Sequence, residues 1–378
     1  MKRFFTSIAL VSLAVVSFAG GLLTNTNQSA SFVRNPARYA SLETDAIYFN
    51  PAGTAFFNEG WSFSANWQMI WQQRDAINLQ NNNKYDGKVY VPCMPTLFAA
   101  YKTGDWTFSG FFGMPGGGGK AEFNNGLPLF DNLIGGLGQS FGSLAPVPLN
   151  ISGASQFEST QYMFALQLGA AYKISENLSA YAGVRTNYIS NNYNGTIKAV
   201  ADLSALQMGE VDLMTVNLDM DQSGIAFAPI VGLDYKVGNF NFAAKYEFRA
   251  VTTVENDTEE APAQLPTFAD GVTFRSDAPA LLSLAGSWQA LPRLQVMAGW
   301  NYYFDKDAKV ESLMGGDNMR KLSRNTFEYL FGAEYQLTDK FLVSAGIQFT
   351  NFGINDNYTS DLAFTNDSFM TGVGGKYS

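Results

Sequence analysis

Hydrophobic and polar residues alternate at every second position through most of this chain, the period of a strand whose two faces meet different surroundings. In the stretch beginning at Phe341, the residues Phe341, Val343, Ala345, Ile347 and Phe349 share one face, opposite Leu342, Ser344, Gly346 and Gln348. Leu294, Val296, Ala298, Trp300, Tyr302 and Phe304 oppose Gln295, Met297, Gly299, Asn301 and Tyr303. Phe240, Phe242, Ala244, Tyr246 and Phe248 oppose Asn241, Ala243, Lys245, Glu247 and Arg249. The same alternation runs through Tyr162 to Tyr172 and through Trp61 to Trp71. About twelve such segments begin near Trp61, Thr96, Trp106, Tyr162, Leu178, Val211, Phe240, Val272, Leu294, Phe327, Phe341 and Phe369, an even number of the kind single-chain barrels adopt.

The links between segments alternate in length. Short ones fall at Lys102 to Asp105, Ser175 to Asn177, Val237 to Asn239, Leu291 to Arg293 and Thr338 to Lys340. Long polar ones are expected at Gln80 to Gly87, Gly116 to Ser155, Asn191 to Glu210, Glu255 to Asp270, Asp305 to Arg320 and Asn351 to Asp361. Tight turns at one end and long loops at the other predict an all-β, antiparallel transmembrane β-barrel. Lipid offers no hydrogen bonds, so strands that cross it must close on one another. A secreted sandwich also alternates, but its strands run to about five or six residues, whereas several here keep their pattern for ten or more. Aromatic residues near strand ends, Tyr172, Trp288, Trp300, Tyr302 and Tyr335, suit interfacial girdles.

The amino terminus adds a destination. Lys2 and Arg3 precede an apolar run from Phe4 to Val16, and Ser17-Phe18-Ala19 follows with small residues where a signal peptidase reads, so residues 1–19 are expected to be a cleaved signal peptide. The run is too short for a helical span, and no later stretch approaches one. The localisation expected is the bacterial outer membrane. The chain stops at Ser378 without a terminal aromatic, and a final hairpin is expected beyond it.

Composition removes most alternatives. The 378 residues are 46% hydrophobic and only 15% charged, which excludes disorder. Histidine is absent and Cys93 is the one cysteine, so no Ser-His-Asp triad, Cys-His pair, disulfide or His/Cys zinc site can form, and no enzyme, cofactor or metal centre is expected. Acid pairs such as Asp219 with Asp221 and Glu259 with Glu260 read as solvated loop residues. A net charge of −9 disfavours nucleic acid.

The stretch from Thr24 to Asn58 does not alternate. It contains Gly-Gly-Leu-Leu-Thr-Asn-Thr-Asn at Gly20 to Asn27, Arg34-Asn35-Pro36-Ala37-Arg38, and Asp45-Ala46-Ile47-Tyr48-Phe49-Asn50-Pro51-Ala52-Gly53. These motifs, with Val91-Pro92-Cys93-Met94-Pro95-Thr96-Leu97-Phe98 after them, resemble the amino-terminal hatch and second strand of the FadL-type long-chain fatty-acid transporters. The resemblance implies a fourteen-stranded barrel over residues 59–378, plugged by a hatch at 20–58 whose Asn-Pro-Ala motif is Asn50, Pro51 and Ala52, followed by Gly53. It also implies passive uptake, with capture in an outer groove, transfer to a pocket beside the hatch and sideways exit through a kink in the third strand. On residues alone, the leader is either a plug or a segment that merely enters the wall.

Three groups of residues bear on such a route. Gly110 and Gly113 lead into Met114-Pro115-Gly116-Gly117-Gly118-Gly119, where a missing donor and weak strand formers should part or bend the wall, a flexible turn being the alternative. Lys120 is followed by Ala121, so the run is no phosphate loop. Leu127, Phe130, Leu133, Ile134, Leu137, Phe141 and Leu144 recur at three- and four-residue steps after Leu127-Pro128, and a short helix there presents an oily face to a ligand or packs on its own rim. Arg185, Lys245 and Arg249 are candidates to meet a ligand carboxylate, and the inward charges Lys173, Glu247, Glu328 and Glu334 offer pairing across the lumen instead. The function expected is a channel for hydrophobic molecules such as long-chain fatty acids, a monomer among outer-membrane lipids. A general porin or structural barrel is the alternative.

Overall fold

The computed structural model describes residues 24–78, 81–128, 130–132, 134, 150–204, 207, 209–261, 266–313, 322–354 and 365–378. The proposed signal peptide lies outside these. A short helix α1 (Ala30–Arg34), a second, α2 (Ala46–Phe49), and a 3-10 turn (Pro51–Phe56) precede the strands. The strands are β1 (Gly60–Ile77), β2 (Lys84–Thr103), β3 (Trp106–Phe123), β4 (Asn150–Lys173), β5 (Leu178–Asp202), β6 (Glu210–Val237), β7 (Phe240–Glu247), β8 (Thr253–Glu260), β9 (Thr273–Arg275), β10 (Leu281–Leu291), β11 (Leu294–Tyr303), β12 (Thr326–Thr338), β13 (Phe341–Asn351) and β14 (Ser368–Tyr377).

Twelve of these make the wall of an antiparallel transmembrane β-barrel, hydrogen-bonded in chain order from β1 to β14 with β7 beside β10. The short strands β8 and β9 stand off this path, β8 pairing with β6 and β9 with β8. All five short turns fall where the alternation places them. Three strand starts differ: β2 begins at Lys84 and not near Thr96, β4 at Asn150 and not near Tyr162, and β10 at Leu281, Val272 leading into the off-wall β9. The ends of the link expected at 116–155 belong to β3 and β4, and the link expected at 191–210 is largely strand, since β5 and β6 pair out to Asp202 opposite Glu210. Their outer parts are rich in Asn, Asp and Thr, and a strand with water on one side needs no apolar alternation there.

The period-two faces sort as lipid requires. On β13, Ile347 and Phe349 are exposed at 41% and 42%, whereas Gln348 and Thr350, their neighbours in sequence, are buried at 1% and 0%. Aromatic rings gather at the short-turn end, where Trp106 meets Tyr172 at 4.7 Å and Phe240 meets Trp288 at 5.8 Å. Others gather at the long-loop end, where Trp300, Tyr302 and Phe327 adjoin. These are the two interfacial belts of a membrane barrel. With 18 to 28 residues each, β1 to β6 are longer than the roughly ten a tilted strand needs, so this side of the wall projects beyond the apolar band.

Residues 24–58 lie inside. No ladder joins β1 to β14 among the described residues, and α1 lies against both edges. The Ala30 N–H donates to Asn66 Oδ1 of β1 at 3.1 Å, and the Val33 carbonyl rests where a Cβ on Gly372 of β14 would stand. Ser29 caps α1 through its hydroxyl, which accepts from the Phe32 N–H at 2.9 Å.

Candidate functional site, a gap in the wall and its stopper

The ladder between β2 and β3 is interrupted. Tyr90 pairs with Lys120 and Leu97 with Phe112, but between these rungs the strands share none, leaving residues 91–96 facing 113–119. Both lips are built from residues that cannot complete a ladder. Pro115 stands on β3, and Pro92 and Pro95 stand on β2, each without an N–H. Glycines finish the break. Gly117 has φ of 91°, and a Cβ there would run into the Gln161 carbonyl, so this bulge against β4 accepts glycine alone. Gly113 and Gly116 pair with Ala165 and Met163 across register shifts, and Gly118 lies in the bulge between Gly116 and Gly119. Gly110 is below the break, in a regular rung with Ala99 and Leu168.

A stopper fills the gap. Thr24 bridges Gly116 as a short antiparallel pair, and the Asn25 N–H donates to the Pro115 carbonyl at 2.6 Å. Gln28 ties both lips together: its side-chain amide donates to the Met114 carbonyl at 3.0 Å, and the Thr96 hydroxyl donates to the Gln28 carbonyl at 2.7 Å. The remaining space, bounded by Asn25, Ile70, Val91, Met94, Met114 and Tyr162 among others, is about 20 Å³. That holds about one water and no hydrocarbon. Thr26 Oγ1, Asn27 Oδ1 and Gln28 Oε1 are buried there without a protein hydrogen-bond partner.

Behind the gap lies an apolar cluster. Met163, opposite Gly116, packs with Ile189, Val254 and Phe274. Farther toward the long loops, Phe123, Phe157, Tyr193, Met220 and Phe268 form a second cluster with Leu127, and Phe130 and Leu313 lean on it. The chain at Pro128, Phe130 to Asn132 and Ile134 is helical, as the spacing predicts. Its oily face turns inward: Leu127 and Ile134 are buried, and Phe130 meets Phe157 edge-on at 5.9 Å. Leu133, Leu137, Phe141 and Leu144 lie outside the described residues.

The hatch motif anchors the interior at the short-turn end. Asn50 donates to Asp234 Oδ2 at 2.5 Å and to the Ser41 carbonyl at 3.1 Å. Pro51 opens the 3-10 turn, the Ala52 carbonyl accepts from Ser179 at 2.7 Å, and a Cβ on Gly53 would strike the Asn50 amide. On the other side, Arg38 is buried against Asp45, Glu43 and Glu334, and Arg34 reaches the same Glu334 at 2.8 Å.

Two of the three carboxylate candidates come together, already occupied. Arg185 Nη1 pairs with Glu247 at 2.6 Å while its Nε and Nη2 donate to Gln167. Lys245 pairs with Glu247 at 2.5 Å and donates to the Tyr48 carbonyl at 2.9 Å. Arg249 stands apart, exposed, with Asp277 at 3.9 Å. Glu328 and Glu334 are buried as expected, whereas Lys173 is only partly buried. Sequence reading missed the β2 lip, although Pro92 and Pro95 signalled it, and missed residues 24–28 as the stopper, for which no local signal exists.

No family model matches the chain, and no curated protein matches it in sequence. Solved structures do match in shape. A Pseudomonas aeruginosa FadL homologue superposes with a TM-score of 0.64 at 15% identity, over 95% of this chain and 87% of that one. The Pseudomonas putida toluene transporter TodX gives 0.58 at 15%, over 96% and 89%. The Ralstonia pickettii toluene transporter TbuX gives 0.54 at 16%, over 82% of each chain. The interrupted β2–β3 ladder, the internal amino-terminal segment and these superpositions together show that this chain has the fold of the FadL-type barrels.

Proposed function

We propose that this chain is an outer-membrane channel for passive, lateral uptake of hydrophobic molecules. Its short-turn end then faces the periplasm and its long loops the exterior. The observation that carries the reading is the missing set of rungs between Tyr90–Lys120 and Leu97–Phe112, backed from inside by Met163 and Ile189 and filled by a segment that is not part of the wall. A hydrophobic solute is poorly soluble in a water-filled bore and gains from an oily surface, so a route from the Leu127–Phe130 cluster to the Met163 cluster and out through the wall needs no energy source. Exit requires the stopper to move. What holds it is a handful of hydrogen bonds to the lips, from Asn25, Gln28 and Thr96, each worth about 1 kcal/mol net, so a ligand wedged behind it can displace it. The toluene transport named for the two similar structures is compatible with such a route.

The test joins two measurements on one preparation. Cells displaying the chain should take up a radiolabelled hydrophobic compound above the level of cells without it, and the purified barrel should give little ion current in a planar bilayer. A large steady current with no hydrophobic uptake would make the chain a general porin.

A further inference from the structure

We propose, resting on the reading above, that the molecule carried is uncharged, and that Glu247 sets this selectivity by occupying the place a ligand carboxylate would take. Arg185 lies two inward positions below Ile189 on β5, so it is the first cation beneath the apolar chamber behind the gap. Around it the chain has assembled what binds an organic acid: a guanidinium and an ammonium converging on one point, with the Gln167 side-chain oxygen holding the guanidinium from behind. The point is filled by the chain's own carboxylate. Glu247 Oε2 takes Arg185 Nη1 at 2.6 Å and Oε1 takes Lys245 Nζ at 2.5 Å. The other donors are engaged as well, with Gln167 Oε1 accepting from Arg185 at 2.7 and 3.2 Å, the Tyr48 carbonyl accepting from Lys245, and the Tyr48 ring lying 4.5 Å from the guanidinium.

Among the described residues no other buried cation near the route offers a substitute, and Arg275, partly exposed beside Phe274, is paired with Asp277. The buried cations among the described residues are Arg34, Arg38, Lys102, Arg185 and Lys245. Arg34 and Arg38 are paired with Glu334, Glu43 and Asp45 beside the hatch, and Lys102 donates to the Gly104 carbonyl at the short-turn end. An entering carboxylate would lose its hydration without gaining a donor that is not already used, whereas an ester or hydrocarbon of the same length loses no such hydration. The trio carries one net positive charge, yet its hydrogen-bonding directions are consumed internally, and a buried pair is broken only at high cost.

Equilibrium binding of radiolabelled laurate and methyl laurate to the purified full chain in detergent at pH 8 tests this. Methyl laurate should bind, and laurate should bind at least roughly tenfold more weakly, the scale of one charge-assisted hydrogen bond left unmade. Glu247→Ala, which vacates the site, should raise laurate affinity by about the same factor, while Glu247→Gln, which keeps it filled, should raise it less. Equal binding of acid and ester by the unmodified chain would overturn the inference and leave the channel reading standing, and does not depend on either variant folding. Binding of neither would bring down both.

Discussion

Gln28 holds the two lips of the gap through opposite ends of one residue: its side chain donates to Met114 on β3 and its backbone carbonyl accepts from Thr96 on β2. Asn25 spans the gap in the same manner, its N–H donating to Pro115 on β3 and its side-chain amide to the Met94 sulfur on β2 at 3.7 Å. Gln28→Ala should remove the Met114 half, worth about 1 kcal/mol, and so raise the open fraction roughly fivefold. Uptake of a hydrophobic tracer at limiting concentration should rise in that variant, and an unchanged rate would remove Gln28 from the gate.

The bulge at Gly117 should be intolerant of any side chain. Gly117→Ala combines a φ of 91° with a clash against the Gln161 carbonyl, so a loss of about 1–3 kcal/mol is expected. Gly118→Ala meets nothing within 4 Å and should be near neutral. Thermal unfolding followed by gel mobility separates the two.

How far the sequence carried this picture follows from where each feature meets lipid. Trp61, Phe63 and Trp67 face outward against hydrocarbon, so their alternation is strong and locates β1 directly. Beyond the apolar band the outer parts of β4 to β6 lose that contrast, and their strands read as loops. Proline and glycine at 113–119 act on their own backbone and were legible. The stopper was not, because Thr24 and Gly116 are brought together only by the closure of the whole wall. Lys245 and Glu247 share a face two residues apart and invited pairing, whereas Arg185 joins them across 62 positions.

The hatch should be fixed by charge on the side away from the gap. Arg38 is buried against three carboxylates, of which Glu43 and Glu334 keep Lys376 and Arg34, so Arg38→Ala leaves buried Asp45 without its cation and should cost about 3–5 kcal/mol. Urea unfolding would show the loss.

That anchor should also respond to acid. Burial alone would raise the Glu43 pKa, but Arg38 first, then Lys376 and Arg34, hold it down to about 2 from the ordinary 4.5. A depressed carboxylate stabilises above its unfolded value, so the contribution is complete above pH 4.5 and fades as pH falls through 2. Protease resistance of the hatch should decline over that window, and Glu43→Gln should abolish the decline.

Asp305, just past the end of β11 at the long-loop end, should act with the opposite sign. Burial pushes its carboxyl up to about 7, helped by nearby Glu328 and opposed by the Thr326 hydrogen bonds. The folded state then holds the proton more tightly, so its stabilisation is full below the ordinary 3.8 and is lost as pH rises through 7. Unfolding measured between pH 5 and 8 should show stability falling, and Asp305→Asn should flatten that slope.

Lateral uptake depends on movement of residues 24–28 out of the wall. With Cys93 replaced by serine, Thr24→Cys and Gly116→Cys place two thiols on a bridged antiparallel pair, within disulfide reach. Oxidised cells should take up a neutral hydrophobic tracer no faster than cells lacking the chain, and reduction should restore the rate. Full uptake through the cross-linked barrel would contradict a route through the gap.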